Sequence, residues 1–183
     1  TVPEGFREEL ADKGVMSYRV LWFERDGDTF RPPQAYPVEA AACVATHDLA
    51  TLAGWWAGVD IEEQAALGMI SDVELARDAR LRDRRRLADA VRAAGIGDGI
   101  ETSSPHLSPA MAAAIHAFVA ATPSRLALAQ IDDAVAETTA VNLPGTDRER
   151  PNWRRRLKDP VESLAESPHA RAILPAMAAG RSD

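Results

Sequence analysis

The sequence predicts an α/β fold with parallel strand pairing and a large helical share, on two observations. Three short apolar runs at 18–24, 40–46 and 125–131 read as strands buried on both faces of a sheet. Helical patterns and loops separate those runs, which is the order of a parallel sheet with crossovers. Three strands are few. An isolated three-stranded parallel sheet has unpaired edges, so either further strands are hidden or the sheet is part of a larger barrel or sheet.

Residues 2–12 predict a short helix, with Phe6 and Leu10 four apart and Gly14 just past the end. The first strand, "YRVLWFE" at 18–24, is almost continuously apolar. The stretch "RPPQAYP" that follows is too rich in proline for regular structure. The second strand lies in "AAACVAT" at 40–46. Ser71 and Glu74 predict a capping box for a long helix, with Val73, Ala76, Leu87, Ala90, Val91 and Ala94 on its apolar face and Gly95 at its end. Ser108 and Pro109 open another helix, on which Met111, Ile115, Phe118 and Val119 face one way and which Pro123 stops. "RLALAQI" at 125–131 is the third strand. The tail from Pro160 predicts one or two short helices.

The chain has 183 residues, 46% hydrophobic, which is enough for one domain with a sizeable core. A charged fraction of 27% excludes a disordered or fibrous composition. The formal net charge of −7 argues against a nucleic-acid partner. The densest basic run, "RLRDRRR" at 80–86, reads as one solvated helix face. Cys43 stands alone, so an internal disulfide is excluded, and its apolar neighbours suit a buried small residue. No 18-residue apolar stretch and no signal peptide is visible, so no membrane partner is expected and a cytoplasmic location is. The opening "TVPEGFREEL" lacks an initiator methionine, which suggests a mature product or a fragment.

The stretch "CVATHDLATLAGWW" at 43–56 carries the chemistry. His47 and Asp48 stand side by side where a buried strand ends. Three readings stay open on the residues alone. The first is a polar strand end, with Asp48 starting a turn. The second is part of a metal site, although His106, His116 and His169 show no ligand-like spacing with one another. In the third the pair grips sugar hydroxyls at the C-terminal end of a barrel strand, with Trp22, Trp55 or Trp56 as flat faces for a pyranose ring; core packing competes with that role for Trp55 and Trp56. A second stretch, "VNLPGTDRERPNWRRRL" at 141–157, follows the third strand. Asn142, Pro144 and Gly145 give it a tight, fixed loop, and such loops are site candidates.

Taken together, "SYRVLWFERD", "VATHDLATLAGWW", "RLALAQIDD" and "VNLPGTDRERPNWRRRL" resemble, in order and spacing, the C-terminal third of the amylomaltases, the 4-α-glucanotransferases of glycoside hydrolase family 77. The resemblance covers nearly the whole chain. It implies that residues 1–183 are the C-terminal part of a (β/α)8 TIM barrel, about three strands with no second domain. It also implies transfer of segments of an α-1,4-glucan or maltooligosaccharide between chains, with retention of configuration and without a cofactor or metal. Retaining enzymes use a nucleophilic and an acid/base carboxylate about 5–5.5 Å apart. The family adds a third carboxylate on the sugar beside the cleaved bond, and by motif match that is Asp48, with His47 as a sugar-binding histidine.

The resemblance also places Phe23 near the sugar at a strand end and Asn142 at the site rim. It lets Asp26 reach a donor-side sugar, and it gives Trp153 and Arg154 a supporting role. The family usually has proline where this chain has Ala50, which loosens the turn slightly. Its nucleophile and its Glu-Asp-Leu-Gly acid/base motif have no match in the chain. A catalytic fragment partnered by the N-terminal remainder of the barrel is therefore expected. The rivals are a glucan-binding barrel relative that does not cut, and a metal-dependent hydrolase.

Overall fold

The computed structural model describes residues 3–97 and 101–181. Its centre is a three-stranded parallel sheet formed by β1 (Ser17–Val20), β4 (Ala40–Cys43) and β5 (Leu126–Leu128), in the order β1-β4-β5. Between β1 and β4 the chain folds a small antiparallel hairpin of β2 (Arg25–Asp26) and β3 (Thr29–Phe30). The helices are α1 (Phe6–Asp12), α2 (Leu52–Ala57), α3 (Val59–Ala66), α4 (Val73–Ala93), α5 (Pro109–Ala120), α6 (Ile131–Ala134) and α7 (Pro168–Ala179). The α/β class and the parallel pairing match the sequence reading.

Each strand is shorter than its apolar run, because a strand lasts only while a neighbour supplies ladder partners. Ser17–Val20 pairs with Ala40–Cys43, and Ala41–Cys43 pairs with Leu126–Leu128. Past Val20 the backbone tightens into a 3₁₀ turn at Leu21–Phe23, where Glu24 N–H donates to Leu21 C=O. The hairpin that follows escaped prediction. Its β2 is two residues long, and Arg25 fastens it to α4 by a bidentate pair with Asp83 at 3.0 and 3.1 Å.

The expectation that the strands are buried on both faces is corrected. Side chains alternate between the faces of a strand. Ala40 and Ala42 point to the face where α5 packs, and both are fully buried. On the other face stand Tyr18, Leu126 and Leu128, 55%, 44% and 41% exposed. About half of each of these side chains is open to solvent, although Val20 and Cys43 on the same face are buried. The core lies on the helical side, where Phe118, Ile115 and Met111 of α5 meet Leu87 and Val91 of α4, Leu52 and Trp56 of α2, and Ile173 of α7.

The capping of α4 also differs from expectation, and Val2 of the first predicted helix lies outside the described residues. The cap of α4 is Asp72, whose carboxylate accepts from Leu75 N–H at 2.9 Å. With Asp72 as N-cap, Glu74 falls at the second helical position and pairs with Arg77 instead. Ser108 caps α5 as predicted, accepting from Met111 N–H at 3.1 Å. The basic run 80–86 is not one solvated face. Arg80 pairs with Asp60 at 2.7 Å, and Arg84 is buried over the Trp56 ring, 4.4 Å from its centre. Aromatic faces and opposed carboxylates let α4 seat these guanidinium groups inward.

Candidate functional site

The site begins where the central strand ends. Beyond Cys43 the chain stays buried through Val44 and Ala45 and then surfaces at Thr46. Thr46 shapes a turn: its hydroxyl accepts from Asp48 N–H at 3.2 Å and its carbonyl from Leu49 N–H at 3.1 Å. His47 and Asp48 occupy the tip of that turn. In open parallel sheets, ligands bind beyond the carboxyl ends of the strands. Thr51 then caps α2 by accepting from Gly54 N–H, which fixes the exit of the turn.

The structure brings two of the predicted residues together across 94 positions of sequence. Asn142 donates from Nδ2 to Asp48 Oδ1 at 2.6 Å. On the other side of the carboxylate, His47 Nε2 lies 3.4 Å from Asp48 Oδ2. The His47 and Asp48 side chains remain 60% and 48% exposed, so imidazole, carboxylate and amide form one contiguous polar patch open to a ligand.

Several anchors aim Asn142 at Asp48. The buried Arg150 reaches three elements: Glu63 Oε1 on α3 at 2.7 Å, Asn152 Oδ1 at 2.6 Å and Ala140 C=O at 2.6 Å. Asn152 accepts from Leu143 N–H and donates to Thr146 C=O, and Trp153 N–H closes the loop on Val141 C=O at 2.9 Å. One layer below, Arg155 bridges Asp132 at 2.7 Å and Glu137 at 3.7 Å. Thr51 hydroxyl donates to Glu137 C=O, and Asp133 accepts from Leu52 N–H at 2.9 Å. Asp133 and His116 are fully buried together, 3.3 Å apart. Gly54 makes this seam possible: a Cβ there would stand 2.1 Å from Thr138 C=O.

Behind Asp48 and Asn142 lies a cleft of about 220 Å³ lined by Trp22, Trp55, Asp60, Glu63 and Gln64. Arg80 and Arg150 neutralise Asp60 and Glu63, so the cleft is less acidic than its lining suggests. A larger hollow of about 540 Å³, between the hairpin and α4, contains none of the predicted site residues. Among the described residues, no group of three or more His, Cys, Asp or Glu side chains is placed to hold a metal ion.

The other predicted residues sit apart. Phe23 is 68% exposed at the 3₁₀ turn after β1 and lines a shallow hollow with Tyr18, Glu24 and Arg31. Asp26 accepts from Arg31 Nη2 at 2.8 Å and Nε at 3.0 Å within the hairpin. Among the described residues no hydrogen bond or ion pair joins Phe23 or Asp26 to Asp48. The tryptophans at 55 and 56 are core: Trp55 is 8% exposed and stacks on Trp22 at 4.3 Å, and Trp56 is 1% exposed. The exposed indole belongs to Trp153, 5.2 Å from the His47 ring. In sequence the alternating charges of Asp147, Arg148, Glu149 and Arg150 read as pairing with one another on the surface, and Glu63 stands in no motif. A buried three-way arginine shows no signal beyond its place in a proline-flanked loop.

Comparison with known proteins extends this picture. Residues 1–162 match the family described as 4-alpha-glucanotransferase, glycoside hydrolase family 77. The 4-alpha-glucanotransferase of Mycobacterium tuberculosis is 32% identical over 167 residues, covering 87% of this chain and 22% of that protein. The Haemophilus influenzae 4-alpha-glucanotransferase is 29% identical over 169 residues, covering 88% and 24%. The crystal structure of amylomaltase from Corynebacterium glutamicum superposes with a TM-score of 0.88 at 29% identity, over 97% of this chain and 27% of that one. The chain thus spans about a quarter of the length of these relatives.

Proposed function

The chain belongs to the 4-alpha-glucanotransferase family, glycoside hydrolase family 77, and on that premise we propose that it forms the C-terminal wall of a retaining α-1,4-glucan transferase site. In this reading Asp48 holds hydroxyls of the sugar beside the cleaved bond. Its negative charge opposes the positive charge that develops on the ring, so the contact strengthens in the transition state. The Asn142 amide fixes one carboxylate oxygen, and the other, beside His47, stays open to solvent. His47 supplies a further polar contact to the sugar, while the roles of Phe23 and Asp26 rest on the family resemblance alone.

The observation that carries the proposal is the 2.6 Å hydrogen bond between Asn142 and Asp48. Two motifs far apart in sequence meet at the carboxyl end of the central strand, and the amide and carboxylate are polar groups suited to pyranose hydroxyls. The nucleophile and the acid/base come from the N-terminal remainder of the same barrel. The open face of the sheet supports that partner: Tyr18, Leu126 and Leu128 are the inward-facing layer that a closed (β/α)8 barrel would fill from its opposite side. A cytoplasmic location follows from the same family reading, and no described helix is long and apolar enough to cross a membrane.

The test is incubation of the full-length protein that contains this chain with maltotriose. Glucose and a ladder of longer maltooligosaccharides are expected. Absence of any ladder, from a folded protein, would refute the proposal.

A further inference from the structure

Of the four tryptophans, all within the described residues, Trp22, Trp55 and Trp56 pack inward or on one another, while Trp153 is 61% exposed. An indole left in water forfeits the burial that normally places it in a core. Its backbone is unusual as well. Trp153 has φ 60°, a left-handed conformation that bulky side chains rarely adopt. Such strain persists where the surroundings enforce it, and it concentrates at ligand sites. Here the surroundings are explicit: Trp153 N–H is tied to Val141 C=O at 2.9 Å, and Arg150 and Asn152 fix the residues just before it. The fold therefore spends conformational strain to hold a large aromatic ring outward.

The direction of that ring is informative. Its centre lies 5.2 Å from the His47 ring at a tilt of 50°, and His47 adjoins Asp48, which adjoins Asn142. An exposed flat apolar face beside a carboxylate, an imidazole and an amide matches a pyranose, whose C–H face is apolar and whose rim carries hydroxyls. We propose that Trp153 is the stacking platform for one glucose ring of the glucan, next to the ring held by Asp48. The indole covers the C–H face while His47 and Asp48 take hydroxyls of the adjacent residue. The inference rests on the glucan-transfer reading above and adds to it a binding residue that sets how well the chain of sugars is gripped.

The test uses the full-length protein that contains this chain and follows maltotriose disproportionation in four variants. Trp153→Ala and Trp153→Gly remove the ring, and glycine also suits φ 60°. Trp153→Phe keeps a flat face, and Asp48→Asn reports on the main reading. Loss of one stacking face is expected to raise KM about tenfold in the Ala and Gly variants, with kcat changed by less than about threefold. Trp153→Phe should stay within about threefold of the parent KM. Trp153→Gly should melt no lower than Trp153→Ala, since glycine relieves the strain. A KM unchanged by Ala and Gly, or a change only in melting temperature, overturns the platform. If those variants leave KM unchanged while Asp48→Asn abolishes turnover, the platform alone fails. If Asp48→Asn leaves turnover intact, the role given to Asp48 fails, and if the parent forms no ladder from maltotriose, the glucan-transfer reading fails with the platform.

Discussion

Arg150→Ala is the perturbation that asks most of the loop architecture. Its guanidinium makes charge-assisted hydrogen bonds to Glu63, Asn152 and Ala140 C=O, all within 2.7 Å, and its side chain is 9% exposed. Hydrogen bonds to charged groups contribute about 1.5–3 kcal/mol each, and they are not additive. Breaking a buried pair by removing one partner costs about 3–5 kcal/mol. Glu63 is 28% exposed and regains water once freed, which lowers that figure. A loss of about 2–4 kcal/mol in the stability of the 140–153 loop follows, discounted from the fully buried case. Amide hydrogen exchange at Leu143 and Trp153, whose N–H groups bond within this loop, should accelerate by roughly 30-fold or more. Turnover should fall as well, because Asn142 loses its aim at Asp48. Arg150→Lys keeps the charge opposite Glu63 but not the fork, and should recover part of the protection. Exchange at both amides unchanged in Arg150→Ala would show that the arginine does not hold the loop.

Further outcomes follow from other seams. Gly54→Ala forces Thr138 C=O to retreat by about 1 Å from a Cβ contact of 2.1 Å, and should destabilise the fold by about 2 kcal/mol or more in thermal melts; a melting temperature equal to the parent's would contradict the close approach. Asp83 is partly buried, which by itself raises its pKa, but the guanidinium groups of Arg25 and Arg86 outweigh burial and hold it below the ordinary value of 3.8. Its stabilisation is therefore complete above that value and is lost as pH falls through the lower folded value. Asp83→Asn should melt lower than the parent at pH 7 and equal to it in strong acid; a difference that does not shrink on acidification would refute the pairing. The open sheet face predicts that the 183-residue chain on its own associates at micromolar concentration, and that Leu126→Lys with Leu128→Lys reduces this association in sedimentation; a compact monomer in the parent chain would contradict the exposed inner face.

Much of this was legible in the sequence, and the limits have physical causes. Short apolar runs marked all three strands because hydrophobicity is a local property. Their lengths were not legible, because a ladder ends where the neighbour ends: Cys43 stops β4, and so Leu128 stops β5. The cap of α4 slipped by one residue because Ser71 and Asp72 are both good caps, and it is Asp72 whose carboxylate accepts from Leu75 N–H. At the site, the His47-Asp48 turn and the Asn142 loop were each visible. Their membership of one site came only from family resemblance, and the contact between Asn142 and Asp48, 94 residues apart, came from the structure. Trp153 escaped as a ligand platform because exposure and a left-handed backbone are three-dimensional facts. Trp55 and Trp56 drew attention by adjacency and proved to be core.

The central claim is that Asp48 opposes the charge that develops in the transition state. The most direct measurement is the steady-state rate of maltotriose disproportionation by the Asp48→Asn variant of the full-length protein. The amide keeps the size and some hydrogen bonds but removes the charge. Turnover should therefore fall by about 10²-fold or more, while KM moves by only a few-fold. A variant whose turnover stays within about threefold of the parent would contradict the account and leave Asp48 as a residue that merely shapes a turn.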